Sequence, residues 1–73
     1  MSQKLYKKIS VKNSDVKAFV WFVEGDGWTS SATITSYRPE YEDRQLSLNK
    51  HFFNTEKEAG EAAINAAIKI LQG

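Results

Sequence analysis

The side chains that could do chemistry are few and scattered. His51 is the sole histidine, and the chain has no cysteine. Zinc sites need three or four nitrogen, sulfur or carboxylate ligands. His51 has no neighbouring partner of that kind, and it reads as a polar residue on the outer face of a strand. Thr29, Ser30, Ser31, Thr33, Thr35 and Ser36 crowd one segment. A hydroxyl nucleophile needs an adjacent base, so this run reads as β-propensity and solvation. Glu40, Glu42 and Asp43 lie between Arg38 and Arg44. They lack the ligand spacing of a calcium loop and fit a salt-bridged surface loop. Gly25-Asp26-Gly27 joins two strand-like segments with no helix after it, so it is a turn and not a phosphate cradle. The expectation is a non-enzymatic protein with no metal and no cofactor.

One constellation remains. Read with a period of two, the first segment places Tyr6, Lys8, Ser10 and Lys12 on one face. The second places Lys17, Phe19, Trp21 and Val23 beside them. Rings interleaved with lysines on a sheet are the materials of single-strand recognition, because bases stack on rings while lysines neutralise phosphates. The candidate residues for binding single-stranded DNA or RNA are therefore Tyr6, Lys8, Lys12, Lys17, Phe19 and Trp21. A competing reading buries Phe19 and Trp21 against a second subunit or another protein, since large apolar patches mark protein contacts.

The charge pattern bears on that choice. The whole chain has a net charge of only +1. Residues 1–17 hold Lys4, Lys7, Lys8, Lys12 and Lys17 against Asp15, a net of +4, and the remainder carries −3. The basic pole thus coincides with the aromatics. Lysines on an edge strand also discourage unwanted strand pairing.

The elements that must position these residues follow from hydropathy. Residues 4–12 alternate, with Leu5, Lys7, Ile9 and Val11 opposite the Tyr6 face. Asn13-Ser14-Asp15 supplies turn chemistry. Residues 16–24 are β-branched and aromatic on both faces, with Val16, Ala18, Val20 and Phe22 on one and Phe19, Trp21 and Val23 on the other. Glu24-Gly25-Asp26-Gly27 signals a hairpin. Residues 28–37 and 45–53 read as two more strands. In the last, Leu46, Leu48 and Phe52 oppose Gln45, Ser47, Asn49, His51 and Phe53.

Thr55-Glu56-Lys57-Glu58 matches a capping box and opens a helix over 56–71. Glu58, Glu61, Asn65, Lys69 and Gln72 form its narrow polar stripe, and the rest of the circumference is apolar. One buried face needs an arc of about 100° or somewhat more. Gly60 and the alanines would let a partner helix approach closely. The expected fold is α+β, a four-stranded antiparallel meander followed by one C-terminal helix (ββββα). Its expected core is Ile9, Val11, Val20, Phe22, Ile34, Leu48, Ile64, Ile68 and Leu71.

At 73 residues with no cysteine, the chain is a single small domain whose stability rests on its core alone. Its nine aromatics would each bury about 150–250 Å² if enclosed. The two-faced second strand and the wide apolar arc of the helix call for further cover. A homodimer through the alanine-rich helix or through Phe19 and Trp21 is expected. The N-terminal residues lack the apolar run of a secretion signal. The longest apolar stretch, Val16 to Val23, is far shorter than the ~20 residues of a spanning helix. A cytoplasmic location with no membrane partner is the expectation.

The ββββα order resembles that of the PC4-like and whirly single-stranded-DNA-binding domains, which implies a dimer that holds single strands. The resemblance covers the whole chain but rests on topology, so no site residue is carried over. Thr55-Glu56-Lys57-Glu58-Ala59-Gly60-Glu61-Ala62-Ala63 is similar to the last helix of double-stranded-RNA-binding domains. Only Lys57 stands where that family has a lysine pair, and Glu56, Glu58 and Glu61 would repel phosphate. Phe53-x-Thr55 and the spaced alanines also look like those of small bacterial or phage domains of unknown function, which leaves open a protein-interaction module, such as a phage or mobile-element accessory factor.

Overall fold

The computed structural model describes residues 3–37, 43–48 and 50–72. Four strands, β1 (Lys4–Val11), β2 (Ser14–Val23), β3 (Gly27–Ser36) and β4 (Arg44–Ser47), precede one helix, α1 (Glu56–Gln72). The strands form one antiparallel sheet in the order β1-β2-β3-β4. This is the ββββα meander that alternation predicts. Much of the charged loop, residues 38–42, and Asn49 lie outside the described residues.

The β1–β2 turn is tighter than expected. Val11 pairs with Ser14, and only Lys12 and Asn13 lie between them. Both have positive φ, 46° and 62°, as a two-residue type I′ hairpin requires. Ser14 and Asp15, expected in the turn, belong to β2 because that turn's twist matches the strands and lets pairing start at once. In the β2–β3 turn the amide of Asp26 donates to the carbonyl of Val23 at 3.0 Å. Gly27 is needed for a second reason besides its φ of 119°: a Cβ there would stand 2.8 Å from the carbonyl oxygen of Phe53.

Three expectations are corrected. First, β4 ends at Ser47 instead of running to Phe53. The His51 amide bonds back to the Leu48 carbonyl, so the chain turns there. It rejoins the sheet only where Phe53 and Trp28 exchange both backbone hydrogen bonds. Second, Phe22 lies on the expected face but is 50% exposed. It pairs with Trp28 next to the hairpin turn, and its ring meets the Trp28 ring edge-on. Third, the aromatics do not build the core. The largest fully buried side chains are Val16, Val20, Thr29 and Ser30.

The core is instead a seam of small residues. The helix packs chiefly on β3 and β2. It brings Ala63, Ile64 and Ala67 against Val16, Ala18, Ala32 and Ile34, and its Ala59 and Gly60 are buried as well. Small side chains let helix and sheet approach closely, with Ile9, Leu46, Leu48, Ile68 and Leu71 sealing the margins. Val11 is only half-buried and lies outside this cluster. Thr55 caps the helix: its hydroxyl accepts from the Glu58 amide at 3.1 Å and lies 3.1 Å from the Glu58 carboxylate. Glu58 thus reaches back to the cap hydroxyl, a variant of the reciprocal box.

Candidate functional site

The helix covers one face of the sheet, and no element of the described chain covers the other. Register defines that open face in rows. Ser10, Asp15 and Thr35 form one row, and Lys8, Lys17, Thr33 and Gln45 the next. Leu5, Phe19, Ser31 and Ser47 follow, and Trp21 beside Thr29 completes the set. Paired residues of an antiparallel ladder point to the same side, so these rows share one surface.

Of the six candidate residues, the open face brings together Lys8, Lys17, Phe19 and Trp21. Lys12 sits at the tip of the β1–β2 hairpin, exposed and in the left-handed region. Tyr6 is on the opposite side. The cause is a bulge: register passes from Leu5↔Phe19 to Lys7↔Ala18 and leaves Tyr6 unpaired. An extra residue in one strand inverts the alternation on one side of it. Tyr6 therefore turns to the helix, where its hydroxyl donates to Glu61 Oε2 at 3.2 Å. Leu5, expected inside, emerges on the open face and is 50% exposed. Gly60, expected to admit a partner helix, faces Tyr6 of its own chain.

Phe19 and Trp21 are half-buried. They stand two residues apart on an inner strand, about 7 Å along it. Together with Gln3, Ser31, Thr33, Gln45 and Ser47 they line an open trough of about 470 Å³. Its lining combines two aromatic rings with hydroxyl and amide side chains, so it offers rings for stacking and neutral groups for hydrogen bonding.

The electrostatics of the basic pole are divided. Lys4 leaves the open face and pairs with Glu56 at 3.0 Å, at the start of the helix. Lys8 lies 3.9 Å from Asp15. The Asp15 carboxylate also accepts from the Tyr37 hydroxyl at 2.6 Å and the Ser10 hydroxyl at 3.0 Å. These two hydrogen bonds, Tyr37 first, hold Asp15 below its ordinary value, aided by Lys8 and Lys17. Burial, the bond to Glu61 and the charges of Glu61 and Glu56 push the Tyr6 phenol up.

Sequence reasoning missed Tyr37. Its ring is 57% exposed, and its hydroxyl reaches Asp15 on the open face. Alternation over 28–37 puts it on the same side as Thr33 and Thr35, but the site was sought on the first two strands, where the lysines lie, and Tyr37 was not among its candidates. Among the described residues no group of three His, Cys, Asp or Glu side chains could hold a metal ion, and His51 is exposed. No described helix is long and apolar enough to cross a membrane. Comparison of the chain with protein-family models, curated proteins and solved structures finds no match.

Proposed function

We propose that the chain is a non-catalytic module that binds single-stranded nucleic acid on the open face of its sheet. The observation that carries this reading is the placement of Phe19 and Trp21 beside the Lys8–Lys17 row on a face the helix leaves free. Rings at every second residue of a strand offer successive stacking surfaces. Ser31, Thr33, Gln45 and Ser47, which line the trough, supply hydrogen-bonding groups without adding negative charge.

The same reading includes a second copy of the chain. A core built from alanines, two valines and two isoleucines is slight for a domain this small. Ala62 and Ala66 are half-buried and Ile70 is 40% exposed along one side of the helix. Pairing there leaves the sheet face free for ligand. Sedimentation equilibrium across micromolar concentrations tests it, and a monomer throughout rejects it.

Titration of the full chain with a short oligothymidylate tests the binding function. Tryptophan fluorescence is followed at about 50 and 200 mM salt. Binding that weakens with salt, and that is lost in Phe19→Leu/Trp21→Leu, is expected. The second reading, a protein-interaction module, is favoured by Leu5, an aliphatic chain half-exposed beside Phe19 that has no use in base stacking. It is left standing by an oligonucleotide that does not bind at low salt.

A further inference from the structure

We infer that Tyr37 is a third base platform on this face, and that the ligand is an extended single strand of about four nucleotides laid along β2. The site size is at the low end for a single domain. The inference rests on the nucleic-acid reading above and deepens it.

Three observations carry it. Among the described residues Tyr37 is the most exposed of the large hydrophobic side chains at 57%, yet its hydroxyl is fixed by a 2.6 Å bond to Asp15. It also lies 3.3 Å from the Ser10 hydroxyl. A ring held in place while its surface stays open loses little conformational freedom when a ligand covers it. The second observation is order. From Tyr37 at the Asp15 row, the face runs through the Lys8–Lys17 row to Phe19 and then Trp21. Asp15 to Trp21 is six residues of strand, about 20 Å. Rings at both ends with a cationic row between them suit a backbone whose phosphates cross the lysines while its bases turn onto the rings.

The third observation concerns charge. Asp15 would repel a phosphate if it were free. It accepts two hydroxyl hydrogen bonds and faces Lys8 at 3.9 Å, so its charge is spread over those partners. The acid positions the ring at small electrostatic cost to the neighbouring phosphate path.

Dinucleotide, tetranucleotide and octanucleotide oligothymidylates, titrated into the full chain, test the inference. Affinity should rise from the dinucleotide to the tetranucleotide and then flatten. Tyr37→Leu should weaken the tetranucleotide about 5- to 150-fold, the range for loss of one stacked base, and leave the dinucleotide within about twofold. Tyr37→Phe, which keeps the ring but loses the tether, should weaken the tetranucleotide less than Tyr37→Leu does. In the unaltered protein the Tyr37 ring protons should move upfield on saturation with the tetranucleotide, a measurement that does not depend on a variant folding. If Tyr37→Leu binds the tetranucleotide as the unaltered protein does while Phe19→Leu weakens it, or if the Tyr37 protons do not move, the third platform is wrong and the binding function stands. If no oligonucleotide binds the unaltered protein, both fall together.

Discussion

The ring of Tyr6 occupies the space into which a side chain at Gly60 would grow: a Cβ built there falls inside van der Waals contact of three ring atoms. The bulge in β1 and the glycine in α1 are thus two halves of one contact, locked by the Tyr6–Glu61 hydrogen bond. Alanine at position 60 would gain about 1 kcal/mol of helix propensity. It would also force apart a ring and a helix held from both sides, which costs about 1–3 kcal/mol in a packed site. Gly60→Ala should therefore destabilise the protein, read as a lower urea midpoint. In the Tyr6→Ala background the sign should reverse, because only the propensity gain remains. The same sign in both backgrounds would show that the ring does not press on Gly60.

This contact also marks where sequence pattern stops informing. Alternation placed Lys8, Ser10, Ile9 and Val11 on their observed faces because all four lie beyond the bulge. It misplaced Leu5 and Tyr6 because an inserted residue changes parity without changing hydropathy. The faces of the inner strands β2 and β3 were legible, since no irregularity interrupts their mutual register and parity holds from end to end. Phe22 was put on the correct face, but it stands beside the β2–β3 hairpin turn, and periodicity does not encode how far along the sheet the cover of the helix reaches. The end of β4 was hidden for a similar reason. The turn between Leu48 and His51 is made by backbone hydrogen bonding, with no glycine or proline to announce it. Lys8, Lys17, Phe19 and Trp21 were found because lysines and rings alternate on neighbouring strands, and Tyr37 was missed because its link to them, the hydrogen bond to Asp15, is a contact across strands that sequence pattern does not show.

Two neighbouring hydroxyls on β3 should respond oppositely to removal. Thr29 is 1% exposed and donates to the Leu48 carbonyl at 2.7 Å. Ser30 is fully buried, and its hydroxyl has no hydrogen-bond partner among the described residues. A buried hydroxyl without a partner is destabilising by roughly 1–3 kcal/mol. Ser30→Ala should raise stability by about 1 kcal/mol, whereas Thr29→Val should lower it by about 1 kcal/mol because a buried hydrogen bond is lost and the Leu48 carbonyl keeps only the His51 amide. Chemical denaturation of the two variants checks both signs. A loss of stability in Ser30→Ala would mean that the hydroxyl has a partner, such as an internal water.

Stability should depend on pH at both ends of the range through different residues. The folded-state value of Asp15 is depressed, chiefly by Tyr37. Its contribution is therefore complete above its ordinary value near 3.8 and is lost as pH falls through the lower folded value. Tyr6 has the opposite sign. Its folded value is raised above the ordinary 10.0, chiefly by burial. Its contribution is complete below pH 10 and disappears as pH rises through the folded value. Melting temperature against pH should show a shallower acid limb in Tyr37→Phe and an unchanged alkaline limb. Tyr6→Phe should do the reverse. A matched change on both limbs in either variant would refute this assignment.

Salt dependence should separate the lysines by face. For single strands the logarithm of the binding constant falls with the logarithm of salt by about 0.7 per phosphate neutralised. Lys8, Lys17 and the exposed hairpin-tip Lys12 give a slope near −2 if all three engage. Lys17→Gln should bring it up by about 0.7, and so should Lys12→Asn, which keeps a residue that tolerates positive φ. Lys8→Gln should have a smaller effect, because its ion pair with Asp15 must be exchanged for the phosphate contact. Lys4→Gln should leave the slope unchanged, since that lysine is held by Glu56 on the helix side of the sheet. A slope that responds to Lys4 as strongly as to Lys17 would place the strand along the helix and β1 edge instead of across Phe19 and Trp21.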